Sequence, residues 1–346
     1  MNLTIRPLDP SSDSDIAQWA LLEEAHDEAL YGGAERLTPA EVRAQLEPTR
    51  YWSLRHFVAV LETLEGGESI VGRAGVQIPL EENTDQVFLG VLVHPAHRGR
   101  GVATALLEEA IVPTLREIGR PVAASWADIP AEGDPDDENL PAHRLARRLG
   151  VERKNLAVCR ALALPLADGL LEALAAEARE KQGEYAILEF SGEIPEEHLE
   201  AYGALLHQLD LDDPDEDFDY EPAQYTPERI RTAERRLREQ GKRSIVAVAV
   251  APDGSFAGNS VVEFHAGAGT TIGWQENTLV MPEHRGHRLG LALKVATHRR
   301  LAQEAPHLRA LVTWNSHVNP WMIAINEKLG YRIAHRELAL QGPVEL

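Results

Sequence analysis

The sequence predicts two mixed α/β domains in tandem, each a twisted, largely antiparallel sheet flanked by helices. Three observations predict it: the length, a long internal repeat, and strand and helix segments that recur in the same order in both halves. At 346 residues the chain exceeds one ordinary core, so two domains are the expected division. Hydrophobic residues make up 44%, enough to build packed interiors.

The repeat is carried by two blocks. VLVHPAHRGRGVATALLEEAI, from Val91, matches TLVMPEHRGHRLGLALKVATH, from Thr278. In each, an apolar strand ends in Val-x-Pro, two residues and then Arg-Gly follow, and an amphipathic helix begins. Downstream, ENLPAHRLARRLGVER, from Glu138, matches VNPWMIAINEKLGYRI, from Val318, with Asn139 over Asn319 and Gly150 over Gly330. A repeat of this length makes each half a structural unit of one kind.

The intervening segments complete the pattern. Leu3 to Leu8 alternates as a strand, IAQWALLEEAHDEAL reads as a helix, and Thr38-Pro39 opens a second helix with a cap and an N1 proline. RHFVAVLET and SIVGRAGVQIPL then read as paired strands, with QVFLGVLV next. The second half repeats the order through YAILEFSG, helices from Pro195 and Thr226-Pro227, and the strands SIVAVAVAPDG and FAGNSVVEFHA around an Asp253-Gly254 turn. PLADGLLEALAAEAREKQGE reads as a helical connector. The expected division is 1–164, a connector at 165–183, and 184–346.

Charge and cysteine content narrow the partners. Thirty-four basic residues stand against 55 acidic ones, a formal net charge of −21. That field opposes nucleic-acid binding, which rests on phosphate neutralisation. It reads either as a solubility device or as an acidic cleft for a cationic substrate. No apolar run reaches the roughly 20 residues needed to span a bilayer, and no secretory signal is visible at the N-terminus. Cys159 is the single cysteine, so no intrachain disulfide forms. No metal-ligand spacing occurs. The expectation is a soluble cytoplasmic protein with no membrane, nucleic-acid or metal partner.

The loop HRGRGVA, His97 to Ala103, joins a strand to a helix. Glycines there let backbone N–H groups turn inward beside a helix N-terminus, which makes a cradle for a pyrophosphate. The same glycines also serve a tight turn for purely structural reasons. With Val93, Pro95, Arg98, Gly101 and Ala103, and with Asn319, Leu329, Gly330 and Tyr331, the sequence resembles the GNAT superfamily of N-acyltransferases over nearly its whole length. The first half has a weaker form of the second block at Asn139, Leu149, Gly150 and Val151. The tandem layout is similar to actinobacterial two-domain GNAT proteins, with mycothiol synthase a distant example.

The resemblance implies two mostly antiparallel GNAT-like sheets and an acyl-CoA donor, acetyl-CoA or another. Val93 is then expected along the pantetheine, with Arg98, Gly99, Arg100, Gly101, Val102, Ala103 and Thr104 on the pyrophosphate. In the second half Val280, Arg285, Gly286, His287, Arg288, Leu289, Gly290 and Asn319 take the corresponding places. That loop departs from the pattern, because Arg288 stands where the first glycine is required.

The resemblance also implies direct attack of an amine on the thioester in a ternary complex. The family's usual general acid, a tyrosine seven residues after the asparagine, is replaced here by Ala146 and Asn326. For a base the second half offers Glu276, and Glu263 on a strand face shared with His265. Each also reads as an ordinary polar residue of an exposed strand face. Asp85 and His94 are weaker candidates in the first half, and His97 and His284 read as loop residues that pack or cap.

Between the second domain's first two helices lies DLDDPDEDFDYEPAQY, Asp210 to Tyr225. Asp217, Phe218, Asp219 and Tyr220 within it are expected to grip a cationic acceptor. The competing reading is a solvated loop. Trp314 and Trp321 are expected to be core side chains. The expected activity is transfer of an acetyl or other acyl group to a primary amine of a small cationic acceptor, centred on the second domain. Two alternatives stand beside it: a non-catalytic acyl-CoA sensor or scaffold, and an acyltransferase whose donor is an acyl carrier protein.

Overall fold

The structure of the chain is a computed structural model that describes residues 3–62, 67–212, 216–267 and 269–346. It forms two compact units. One comprises Met1–Val158, Asp215–Glu221 and His335–Leu346, the other Cys159–Pro214 and Pro222–Ala334. The division differs from three consecutive segments. The expected connector belongs to the second unit, while residues 216–221 and 335–346 belong to the first.

The first unit opens with β1 (Leu3–Pro7), α1 (Asp13–Tyr31) and α2 (Pro39–Leu46). Ser12 caps α1 through the N–H of Asp15, and Gly32 ends it in the left-handed region that favours glycine. Thr38 and Glu41 form a capping box on α2, with Pro39 in its first turn. Next come β2 (Trp52–Glu62), β3 (Glu68–Pro79), β4 (Gln86–Val93), α3 (Val102–Leu106), a π turn at Leu107–Ile111, α4 (Val112–Ile118), β5 (Val122–Pro130), α5 (Pro141–Ala146) and β6 (Glu152–Ala163), whose residues from Cys159 onward belong to the second unit.

The second unit contains α6 (Leu170–Gln182), β7 (Ala186–Ser191), α7 (Leu199–Asp212), α8 (Pro227–Glu239), β8 (Lys242–Val250), β9 (Phe256–His265), β10 (Ile272–Val280), α9 (Leu289–Glu304), β11 (Ala310–Ser316) and α10 (Pro320–Leu329). The last strand, β12 (Arg332–Pro343), enters the first unit at His335.

The strand order in the first unit is β1-β2-β3-β4-β5-β12-β6. Pairing is antiparallel from β1 through β4 and between β5 and β12, and parallel between β4 and β5. The place between β5 and β6 is thus filled by the strand furthest along the chain. Leu338 and Leu340 of β12 enter the core formed by Val87, Leu89, Ala123 and Ile129 with Leu106, Leu107 and Ile111. On the opposite face α1 and α2 bury Ile16, Trp19, Leu22 and Val42 against Val58, Val60, Ile70 and Leu92.

The second unit repeats this plan in the order β7-β8-β9-β10-β11. It is antiparallel except for the β10–β11 pair. The β8–β9 turn is as expected: Asp253 accepts from the backbone and hydroxyl of Ser255, and Gly254 has φ of +90°. α6 is an integral helix of this unit, packing Leu174, Ala175 and Ala178 against Leu291, Val295 and Leu301.

Leu338 is fully buried on a strand contributed from far along the chain. Leu338→Ala is expected to lower the stability of the first unit by roughly 2–5 kcal/mol. A denaturant titration checks it, and a loss under about 1 kcal/mol contradicts the integral role of β12.

Candidate functional site

In the second unit β10 and β11 pair only from Ile272 to Trp274 and from Ala310 to Val312. A bulge between Gln275 and Thr278 then turns β10 away, and the strands part. The opening is a cleft of about 890 Å³. Thr278, Leu279 and Val280 form one wall, and Arg285, Gly286, Arg288, Leu289, Gly290 and Leu291 follow around the strand-to-helix corner. The first turns of α10 close the other side with Asn319, Trp321, Met322 and Ile325. A Cβ on Gly290 would lie 3.1 Å from Ile325 Cδ1, so glycine here lets α9 and α10 approach. The Asn319 side chain caps α10, accepting from the Met322 N–H at 3.1 Å.

The first unit has a similarly short parallel pairing. β4 and β5 pair only from Gln86 to Leu89 and from Val122 to Ser125. The two strand-to-helix corners share a backbone. Gly99 and Gly101 have φ of +73° and +84°, and Gly286 and Arg288 have +89° and +54°. Arg288 therefore takes the left-handed conformation that glycine takes in the first repeat, at a cost of roughly 1–2 kcal/mol.

Its guanidinium donates to the Glu177 carbonyl at 2.6 Å and to Glu180 at 2.8 Å on α6, which holds the corner against that helix. The arginine before each first glycine has one job in both units. Arg98 Nε donates to the Val93 carbonyl and Arg285 Nε to the Val280 carbonyl, each at 3.2 Å. Arg285 also pairs with Asp212 at 2.5 Å. His287 sits over Tyr185, and Val102, Ala103 and Thr104 begin α3 as Leu289 and Gly290 begin α9.

Glu276 is exposed within the β10 bulge, beside the wall at Thr278. Glu263 is half-buried on β9, directly opposite Trp274, so the two share a face. Trp274 stacks on Trp314 at 5.7 Å with an interplanar angle of 22°. The buried Tyr202 phenol lies near Glu263, and its pKa is pushed up first by burial and then by that charge. His265 shares the strand face but is a core residue, its ring 2.7 Å from the Gln240 carbonyl at the end of α8. His94 caps the turn after β4 through the Ala96 N–H, and His284 meets the Tyr185 hydroxyl at 2.9 Å. Trp314 is half-buried, but Trp321 is 81% exposed at the cleft mouth and is not core.

The acidic segment departs furthest from expectation. Asp213, Pro214 and Asp215 lie outside the described residues. Asp217, Phe218, Asp219 and Tyr220 belong to the first unit, whereas Glu263 and Glu276 belong to the second. The Asp219 N–H donates to Gln341 at 2.8 Å, and its carbonyl accepts from Gln341 at 2.7 Å and Gln86 at 3.1 Å. Glu221 exchanges hydrogen bonds with Asn83, and the Asp217 N–H donates to the Lys154 carbonyl. Phe218 packs on Trp126 at 5.6 Å, and Trp126 stacks on Phe88. Backbone bonds and one aromatic contact therefore fix this segment on the first unit's sheet.

That unit also holds residues the sequence did not single out. Glu337 of β12 lies directly opposite Asp128 of β5. The Asp128 carboxylate is approached by His335 at 3.0 Å and by His26 of α1 at 4.0 Å. Burial, followed by the charge of Asp128, pushes Glu337 up to about 8, so its carboxyl keeps its proton at neutral pH. Burial likewise pushes His26 down. Only the placement of β12 beside β5 brings this group together. Among the described residues no set of three His, Cys, Asp or Glu side chains is arranged to hold a metal, and no helix is long and apolar enough to cross a membrane.

Residues 19–151 match the acetyltransferase (GNAT) family model. No curated protein matches the chain. Among solved structures, a tandem GNAT protein from the clavulanic acid biosynthesis pathway superposes with a TM-score of 0.74 at 22% identity, covering 100% of this chain and 99% of that one. A GCN5-related N-acetyltransferase from Sphaerobacter thermophilus gives 0.63 at 18% identity, covering 99% and 96%. Saccharomyces cerevisiae N-myristoyltransferase with bound myristoyl-CoA and inhibitors gives 0.56 at 14% identity, covering 98% and 79%. The chain therefore has the tandem GNAT fold, and residues 19–151 match the GNAT acetyltransferase family model.

Proposed function

We propose that the second unit transfers an acyl group from acyl-CoA to a primary amine of a small cationic acceptor. The observation that carries this reading is the cleft between β10 and α10, which opens where two parallel strands part and ends at a helix N-terminus. An extended pantetheine arm fits such an opening, because the exposed edge of β10 offers backbone partners to an amide-bearing chain. The corner from Arg285 to Gly290 then receives the pyrophosphate, with the N-terminus of α9 adding partial positive charge.

The acceptor side is the face that carries Glu263, Trp274 and Trp314, with Glu276 at its edge. Trp274 already lies 5.6 Å from the ammonium of Lys242, so its ring tolerates a cation. Glu276 is the proposed base, taking the proton of the attacking amine directly or through one water. Glu263 adds negative charge that favours a cationic acceptor. The amine nitrogen then bonds to the thioester carbon, the C–S bond breaks, and its electron pair leaves on sulfur. The left-handed glycines Gly99 and Gly101 support donor binding at the first unit's corner as well.

Two measurements test this. Gly290→Glu places a charged side chain in the narrow approach to Ile325, and it is expected to abolish thiol release from acetyl-CoA in the presence of amines. Gly101→Glu is expected to weaken donor binding at the first corner and to preserve turnover at the second. The opposite pattern moves the chemistry to the first unit, and no release from the unaltered protein with any amine favours a sensor. Glu276→Gln is expected to lower kcat by about 10²-fold with little change in the donor KM. An unchanged kcat removes Glu276 from the base role.

A further inference from the structure

The two repeats fill the space after their strand-to-helix corners differently. In the first unit the helical segment after the corner places Leu107, Ala110 and Ile111 there, with Ala146 and Val151 from the second block, and all five are buried. In the second unit the same positions hold Lys294, Thr297 and His298 on α9, with Asn326 on α10 and Tyr331 after it. These five are also buried, each exposed by 2% or less. One fold thus fills the same space with hydrocarbon in one copy and with polar groups in the other. Packing alone does not ask for the polar set, since burying an ammonium is costly where an aliphatic side chain fits.

The polar groups form a connected chain. Lys294 Nζ donates to Asn326 Oδ1 at 2.7 Å and lies 5.4 Å from the Tyr331 ring centre. Asn326 Nδ2 donates to Asn315 Oδ1 of β11 at 3.3 Å, and Arg160 donates to the same oxygen at 2.8 Å. Thr297 and His298 both meet the Lys294 carbonyl.

This chain of groups begins one helical turn beyond the residues that line the cleft. Leu291 and Ile325 line the cleft, while Lys294 follows Leu291 by one helical turn and Asn326 follows Ile325. Acyl transfer releases a thiolate, and a positive charge held in a dry interior acts on it strongly even through one layer of side chains.

We propose that Lys294 is a positioning residue of the second unit's transfer site, held by Asn326 so that its ammonium stabilises the departing thiolate from behind the wall formed by Leu291 and Ile325. This rests on the reading of that unit as the site of transfer. In the step itself the amine nitrogen bonds to the carbonyl carbon, the C–S bond breaks, and the electron pair goes to sulfur. Lys294 keeps its proton throughout.

The surroundings set the pH dependence. Burial pushes Lys294 down to about 7. His298 on the same helix is pushed down to about 3, first by burial and then by Lys294, so it is neutral and adds no charge. Burial raises the Tyr331 phenol, which stays protonated. Asn326 and Asn315 are uncharged, and Arg160 beyond them is a cation near Glu327. The ammonium is therefore present below about pH 7 and lost as pH rises through it. Since the ordinary value is 10.5, the unfolded chain holds the extra proton between about 7 and 10.5. The lysine opposes folding across that window and below it.

The test measures kcat, donor KM, the pH–rate profile and Tm for Lys294→Met and Asn326→Ala beside the unaltered protein, with acetyl-CoA and a primary amine. Lys294→Met is expected to lower kcat by about tenfold or more, less than the roughly 10²–10³ of a donor in direct contact, with donor KM nearly unchanged. It should also erase the fall in kcat above about pH 7 and raise Tm at neutral pH. Asn326→Ala retains the charge but frees its position, so kcat should fall while the alkaline limb persists.

A structural lysine gives the reverse: a lower Tm, with kcat and the limb unchanged. That result overturns the proposal, as does an unaltered protein with no such limb. If Lys294→Met does not fold, Asn326→Ala and the unaltered profile decide by the same criteria. Release of thiol that is indifferent to both variants overturns this inference alone. Calorimetric binding of acetyl-CoA without any thiol release overturns the transfer reading and this inference with it.

Discussion

The structure depends on one constraint: two adjacent parallel strands can part only where their hydrogen-bonded pairing stops. Both units resolve it in the same way. A short paired stretch, Ile272–Trp274 against Ala310–Val312 or Gln86–Leu89 against Val122–Ser125, holds the sheet together, and beyond it the strands separate. The second unit adds a bulge at Gln275–Thr278 to turn β10 away. The corner that follows serves this opening. The arginine clamp to the strand-end carbonyl fixes it, and its left-handed pair aims the next helix.

Much of the fold was legible because it was encoded locally. The caps at Thr38 and Thr226, the Asp253-Gly254 turn and the matched strand-to-helix corners each rest on neighbours within a few residues. What the sequence did not disclose was the destination of distant segments. Residues 216–221 read as an acidic loop of the second half, yet their backbone is bonded to Asn83, Gln86 and Gln341. Those amides carry no pattern that announces a partner more than a hundred positions away. The proximity of Asp128, Glu337, His335 and His26 was hidden for the same reason, since it follows from β12 lying beside β5.

The corner motif shows both the strength and the limit of reading glycines. Arg288 breaks the expected pattern, but its backbone takes the conformation of Gly101 and its side chain is tied to Glu177 and Glu180. The motif specifies a backbone shape, and glycine is its least strained solution. A long side chain with partners on α6 supplies another. Trp321 went the other way: a large aromatic suggested a core position, and it stands in solvent beside the cleft because α10 starts there.

The insertion of β12 also sets a timetable for assembly. Arg336 bonds to the carbonyl of Gly133 across 203 positions of the chain, and strand pairing runs on to Pro343 against Val122. As the chain leaves the ribosome, the first unit emerges early yet lacks the strand that belongs between β5 and β6 until the second half has been made. Contacts of such long span are slow to form. Until then β5 presents an open edge, and a polypeptide in that state is a natural client for chaperones.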